Sequence, residues 1–435
     1  MDRNSQYVKF DDNGQLLDET GKTLWQTMNM GYDSSANAFT DPSQPMPIMR
    51  YKAPYSKIAV FDMRADAVQL IVDAVLNNDL PYYAAYVIGV NMVNSMKDEL
   101  GIEFVEFIEN AAEGYITDGA GAWAKKITDM VPVYVKRYLR GELYVKDRSS
   151  AWYQIQVSCF SSKGKRKSQE DKYVCLPSLD VHHPGILPDV PLFAIFDGHN
   201  GSSIASYAAA HIPYEFGFAL KDKLDVADAL TAAMKKLDKR IDARSNIEPW
   251  RSVGATAVVA AVTLTDIHIR WLGDSPAFIM YSKEMKKITE DHNGHLDREI
   301  ERVKEAGGEF IWRDGESRVQ GVLSVSRALG DISMRPAISG HPDEIIVARD
   351  PDQYLLILVC DGITDVFKPQ DLYAQVKDYV LQYDSDEYAE MSEHIVQAAI
   401  EAGSADNCTC VIVFLRTPEE LWNYFEGDQD GGNSD

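Results

Sequence analysis

The chain has 435 residues, more than one average domain and fewer than three, and 45% of them are hydrophobic, which excludes global disorder. The formal net charge of −24 argues against nucleic-acid binding, because a phosphate backbone would be repelled. Five cysteines at irregular spacing (Cys159, Cys175, Cys360, Cys408 and Cys410) fit a reducing compartment and leave no second pair for a zinc site.

Taken in chain order, residues 1–57 are polar. Asn13-Gly14 between two short apolar runs, 7–10 and 15–17, predicts a hairpin. The start of the chain lacks the apolar core of a signal peptide, and no apolar run reaches the ~18 residues needed to span a bilayer. A cytoplasmic protein that can also enter the nucleus, with no membrane partner, is expected. Pro42, Pro45, Pro47 and Pro54 predict an extended linker.

Residues 58–145 read as a small helical domain. Val68, Ile71, Val72, Val75 and Leu76 share a helical face. Leu80-Pro81 opens a second helix, and Phe104, Ile108 and Ala111 mark a third, stopped by Gly114. The pattern resumes from Trp123 to Leu139, with Pro132 either bending that helix or dividing it. From about 150, strands dominate, with helices predicted at 202–219 (broken near Pro213), 226–246 and 297–306. Strands and helices in separate clusters predict an α+β fold of packed sheets covered by helices. Residues 426–435 are acidic and Gly-rich and are expected to form a disordered tail.

Four strand-like runs carry an aspartate at one end. They are 192–196 before Asp197, 267–272 before Gly273-Asp274, 354–360 before Asp361, and 409–415, three residues after Asp406. Three are nearly all apolar and read as buried strands. Run 267–272 alternates through His268 and Arg270 and reads as half-covered. A sheet fixes its strand ends in space, so carboxylates 200 positions apart can meet. Hard oxygen ligands with no clustered His or Cys suit Mg²⁺ or Mn²⁺, and the pattern reads as a two-metal phosphoester hydrolase. Each piece alone is weak. Asp197-Gly198-His199-Asn200-Gly201 by itself is usually a turn, and 166–171 by itself is a solvated loop. In company, Glu170 becomes a further ligand, Arg166 a planar fork for phosphate, and Gly198 a residue whose carbonyl can approach a metal. Thiol-based phosphate chemistry is rejected: Cys410 has Arg416 six positions on, but the residues between them form an apolar strand, not a loop of free amides.

The ordered set Arg166…Glu170-Asp171, Phe196-Asp197-Gly198-His199, Gly254-Ala255-Thr256-Ala257, Leu272-Gly273-Asp274-Ser275, Ser326-Arg327-Ala328-Leu329-Gly330-Asp331, Cys360-Asp361-Gly362 and Asp406-Asn407 resembles the metal-dependent Ser/Thr protein phosphatases, the protein phosphatase 2C family. The spacing is most similar to the subgroup of the nematode feminization-type (sex-determination) and calmodulin-dependent-kinase phosphatases. The resemblance implies a β-sandwich of two antiparallel sheets flanked by helix pairs, as a catalytic domain at 150–418 after the helical domain. It implies that Asp197 bridges two Mn²⁺ or Mg²⁺ ions, with Glu170 and the Gly198 carbonyl on one and Asp361 and Asp406 on the other. Asp171 would hold water beside the metals, and Asp274 with Asp361 would take a third, weaker ion. Pro276 departs from the Arg that many relatives carry there. His199 is expected as general acid and Arg166 as the phosphate holder. Phosphoproteins are the expected substrates. The N-terminal domain is expected either to bind protein partners or to stabilise the catalytic domain. The alternative for the whole chain is a catalytically weak scaffold.

Overall fold

The computed structural model describes residues 9–10, 16–17, 58–76, 82–102, 115–116, 120–139, 155–179 and 190–430. The chain divides into two compact units, one of residues 1–154 with 178–189, the other of 155–177 with 190–435.

In the first unit, β1 (Lys9–Phe10) pairs antiparallel with β2 (Leu16–Leu17), Phe10 opposite Leu16. These are the arms of the hairpin expected around Asn13-Gly14, whose turn lies outside the described residues, as do the proline linker and the helix expected around Ile108. β3 (Ile58–Ala59) pairs with β4 (Tyr115–Ile116). Three helices follow the apolar stripes: α1 (Met63–Leu76), α2 (Tyr82–Leu100) and α3 (Ala120–Leu139). Val68, Ile71, Val72 and Val75 are buried, and α1 packs on both α2 and α3. Pro132 does not divide α3. Among the described residues no helix is long and apolar enough to cross a membrane.

The second unit is built on two five-stranded sheets. Its strands are β5 (Val157–Ser162), β6 (Lys172–Leu176), β7 (Leu192–Phe196), β8 (Gly198–His199), β9 (Gly254–Ala255), β10 (Ala257–Val262), β11 (Asp266–Leu272), β12 (Ala277–Tyr281), β13 (Met285–Lys287), β14 (Phe310–Arg313), β15 (Glu316–Val319), β16 (Leu329–Gly330), β17 (Asp343–Ala348), β18 (Gln353–Val359) and β19 (Cys408–Phe414). The sheets run β17-β11-β10-β7-β6 and β13-β12-β18-β19-β5, with every neighbour antiparallel. β7, β10, β18 and β19 are buried along their whole length, and the sheets meet where β18 and β19 pack against β6 and β7. Each buried Ile, Leu, Val or Phe there contributes about 1.5–3 kcal/mol of transfer free energy. Helices α4 (Ser203–Lys221) and α5 (Val226–Ser245) cover the first sheet. The short α6 (Asp297–Glu305) and α7 (Asp361–Thr364) precede α8 (Pro369–Gln382) and α9 (Met391–Glu401); α8 packs on α9, which covers β19 and β5, and α10 (Pro418–Asp430) packs against α8. This is the α+β sandwich with flanking helix pairs.

Three local expectations are corrected. The run 267–272 is not half-covered: His268 is 9% and Arg270 2% exposed, because α5 lies over that strand. Arg270 donates through Nε to Thr231 Oγ1 (2.8 Å) and through Nη2 to the Ala227 carbonyl (2.9 Å), with Glu344 3.1 Å away. Pro213 does not break α4, which is continuous; the helix is buried almost throughout, and that packing offsets the missing backbone donor. Residues 426–430, expected in the disordered tail, continue α10, held by the buried face of Leu421, Trp422 and Phe425.

Candidate functional site

Register carries the aspartates to one end of the sandwich. Ala257 lies opposite Leu272, and Val258 opposite Ile195, so β7 and β11 both end level with the start of β10. The Thr256 amide accordingly donates to the Asp197 carbonyl at 2.9 Å, and Asp274 follows β11 at the same edge. In the other sheet Val359 faces Cys410, so the end of β18 meets the beginning of β19, and the Cys360 amide donates to the Thr409 carbonyl at 3.3 Å. Asp361 and Asp406 therefore come together although 45 positions separate them.

Carboxyl oxygens of Asp197 and Asp361 and the Sγ of Cys360 all lie within 4.8 Å of one another. Asp197, Asp274 and Asp361 are ringed by protein yet keep a sliver of accessible surface. Burial pushes the Asp197 carboxyl well above its usual range, and the charges of Asp361 and Asp171 add to the effect. Burial likewise raises Asp361 to about 6, with like charge from Asp365 and Asp406 adding and the hydrogen bond with Asp197 opposing. Asp274 is also raised well above normal, by burial first and then by Asp361 and Asp291. Asp171, 2% exposed, is pushed up to about 7 by burial although its Oδ2 accepts from Thr409 Oγ1 at 2.6 Å. Its Oδ1 is buried without a hydrogen bond of good geometry; the neighbouring Cys360 thiol points to the Asn407 carbonyl, 3.4 Å away. Four carboxyls that repel one another in a buried setting, one with an orphaned oxygen, form a set that fits a hard divalent cation.

The other expected site residues occupy the rim. Arg166 Nη2 lies 2.6 Å from Asp406 Oδ2 and its Nε donates to the Ala405 carbonyl (3.2 Å), so its fork is engaged on the Asp406 turn. The Glu170 carboxylate is turned onto Ser168 Oγ (3.0 Å) and the Gly201 amide (2.9 Å), and the structure does not bring it into the contact shared by Asp197 and Asp361. Gly198 is a glycine for a reason of its own: a Cβ there would come within 2.5 Å of the Glu170 carbonyl, where two backbone segments touch. The His199 Nε2 is 2.7 Å from Asp331 Oδ2.

Several functional residues went unassigned in the sequence. Asn407 staples the Arg166–Glu170 loop: its Oδ1 accepts from the Glu170 amide (2.8 Å), and its Nδ2 donates to the carbonyls of Lys163 (3.0 Å) and Ser168 (2.9 Å). His292 Nδ1 accepts from the Gly273 amide (3.1 Å) and so holds the turn that carries Asp274. Asp331 and Cys360 stood inside quoted motifs, which was the available signal, but their contacts depend on the fold. Arg327 and Arg318 are ion-pair residues: Arg327 lies 2.5 Å from Glu299 and 2.6 Å from Asp343, Arg318 2.7 Å from Glu316. Neither Cys360 nor Cys410 offers a ready thiolate, since burial pushes both thiols far up.

A family model described as Protein phosphatase 2C matches residues 155–408. Protein phosphatase fem-2 of Caenorhabditis elegans is 34% identical over 406 residues, which cover 91% of this chain and 89% of that protein. Human protein phosphatase 1F is 34% identical over 62% of this chain and 60% of its own length. Among solved structures, a C. elegans sex-determining protein matches with a TM-score of 0.78 at 32% identity, over 84% of this chain and 91% of that one. A serine-threonine phosphatase 2C from Toxoplasma gondii shares the fold, with a TM-score of 0.54 at 20% identity over 60% of this chain and 95% of that chain.

Proposed function

The chain belongs to the protein phosphatase 2C family, and on that premise we propose that it hydrolyses phosphoserine and phosphothreonine in proteins with Mn²⁺ or Mg²⁺ as cofactor. The observation that carries this reading is the convergence of Asp197 and Asp361, each raised by burial and by neighbouring acids, at the end of two different sheets. Asp197, Asp361, Asp406, Glu170 and the Gly198 carbonyl would hold a pair of ions, Asp274 with Asp361 would take a third, weaker one, and Asp171 would orient water. When bound, such ions supply Lewis acidity, which lowers the pKa of water and offsets phosphoryl charge.

The residues of the chain supply the rest. Arg166 exchanges its contact with Asp406 for the phosphate oxygens and offsets charge as the phosphorus centre becomes crowded. His199, a quarter of whose side chain is open to solvent, donates a proton to the departing Ser or Thr oxygen. The β-sandwich holds these groups on rigid strand ends, so little reorganisation is needed at reaction. The N-terminal helical domain, residues 58–145, is proposed to serve protein partners; the likeness to fem-2 extends well beyond the segment matched by the family model.

Hydrolysis of a phosphothreonine peptide by the purified full chain tests the reading. Release of phosphate with Mn²⁺ or Mg²⁺ and none with EDTA is the expected result. Folded protein with no activity in either metal contradicts it and favours the scaffold.

A further inference from the structure

We propose that Asp331 is a positioning residue for proton transfer: it holds His199 by Nε2, so that only Nδ1 remains to serve the leaving oxygen. This rests on the reading of His199 as the general acid. The support is a three-stranded sheet with the order β16-β9-β8, separate from the two large sheets. In its register His199 lies opposite Gly254, and Gly254 lies opposite Gly330. Asp331 follows directly, so two residues 132 positions apart meet across a central glycine, with Nε2 and Oδ2 at 2.7 Å. A Cβ on Gly254 would overlap both Asp331 Oδ2 and His199 Nε2. The middle strand therefore has to carry glycine if the imidazole and the carboxylate are to touch.

Asp331 itself is fixed. It is 1% exposed, its amide donates to the Val253 carbonyl (2.9 Å), and its carbonyl accepts from the Met334 amide (2.8 Å). Its φ of 46° lies in the left-handed region, an unfavourable conformation for a residue with a side chain unless the surroundings enforce it. The partly exposed partner is thus aligned by a buried and rigid one, the arrangement that sets which imidazole nitrogen is free.

In the step, a water oxygen forms the new P–O bond and its proton passes to solvent. The P–O bond to the side chain breaks, with its electron pair left on the Ser or Thr oxygen. The Nδ1 proton of His199 moves to that oxygen, while the Nε2–H remains donated to Asp331. The neutral imidazole then regains a proton from solvent.

Leaving-group dependence tests the proposal. A phosphothreonine peptide needs that proton, whereas p-nitrophenyl phosphate expels a stable phenolate without it. His199→Ala is expected to lower kcat on the peptide by about 100-fold or more and on the aryl ester by less than tenfold. Asp331→Asn should show the same split, at about 10- to 100-fold on the peptide, and the double variant should be no slower than His199→Ala. Equal losses on both substrates in Asp331→Asn, or additive losses in the double variant, would overturn the positioning role. Equal losses in His199→Ala would instead remove the acid reading beneath it. Should Asp331→Asn fail to fold, the wild-type protein decides: a long-range ¹H–¹⁵N spectrum is expected to show neutral His199 as the Nε2–H tautomer, and the Nδ1–H tautomer would overturn the proposal.

Discussion

Replacing Asp361 by asparagine is expected to stabilise the metal-free protein at pH 8 while removing its response to divalent cations. Burial, with like charge from Asp365 and Asp406, raises the Asp361 carboxyl from 3.8 to about 6. Between those values the folded state keeps a proton that the unfolded state has already released. A raised folded pKa gives a contribution that is complete below about pH 4 and lost as pH rises through 6. At 1.36 kcal/mol per unit, the two-unit difference is roughly 3 kcal/mol of destabilisation at pH 8. Asparagine carries no charge and recovers about 2–3 kcal/mol of it, which for a domain of this size is roughly 5–10 °C in Tm. Thermal unfolding of EDTA-treated wild type and D361N at pH 5 and pH 8 measures the effect. The variant should melt higher at pH 8, with the gain about halved at pH 5, which lies midway between the unfolded and folded values. Mn²⁺ at 100 times Kd should add about 2.7 kcal/mol to the wild type alone. A lower Tm for metal-free D361N at pH 8, or an equal Mn²⁺ response in both proteins, would refute the reasoning.

Other substitutions probe the surroundings. Thr409→Val leaves the buried Asp171 carboxyl without its 2.6 Å hydrogen bond and should cost about 1–3 kcal/mol, read as a lower urea midpoint at unchanged slope. Arg166→Ala should raise the inhibition constant of inorganic phosphate about tenfold, since the lost contact is charge-assisted but half exposed. Burial alone would raise Glu299, but Arg327, Ser326 and Arg302 hold it down at about 2. Its contribution is therefore present above pH 4.5 and lost as pH falls toward 2, and Glu299→Ala should cost about 3 kcal/mol at pH 7 by taking from Arg327, Arg302 and Ser326 their shared buried acceptor, with Arg327 left to Asp343 alone, measured by the same urea titration.

The strand-end aspartates were legible because each follows or precedes a run whose length and apolarity read as a strand, and the repeated Asp-Gly marks where the strand stops. Coverage was not legible. Arg270 looks like an exposed position in an alternating strand, and only the packing of α5 against it, with Thr231 and the Ala227 carbonyl as partners, makes it a buried one. The same holds for α10, where acidic and glycine-rich composition suggested a free tail while Leu421, Trp422 and Phe425 supply a buried face. Gly198 was explained in the sequence by the approach of a metal; the structure adds a backbone contact that any side chain would break. Asp331 stood in a quoted motif with no role, because its partner is set by the pairing of three two-residue strands, too short to leave a periodic signal.

The most direct test is the location of bound Mn²⁺ in crystals of the full chain, by anomalous scattering. The account predicts a peak within ligand distance of carboxyl oxygens from both Asp197 and Asp361. A protein that binds Mn²⁺ elsewhere, with no peak between these two side chains, would contradict it.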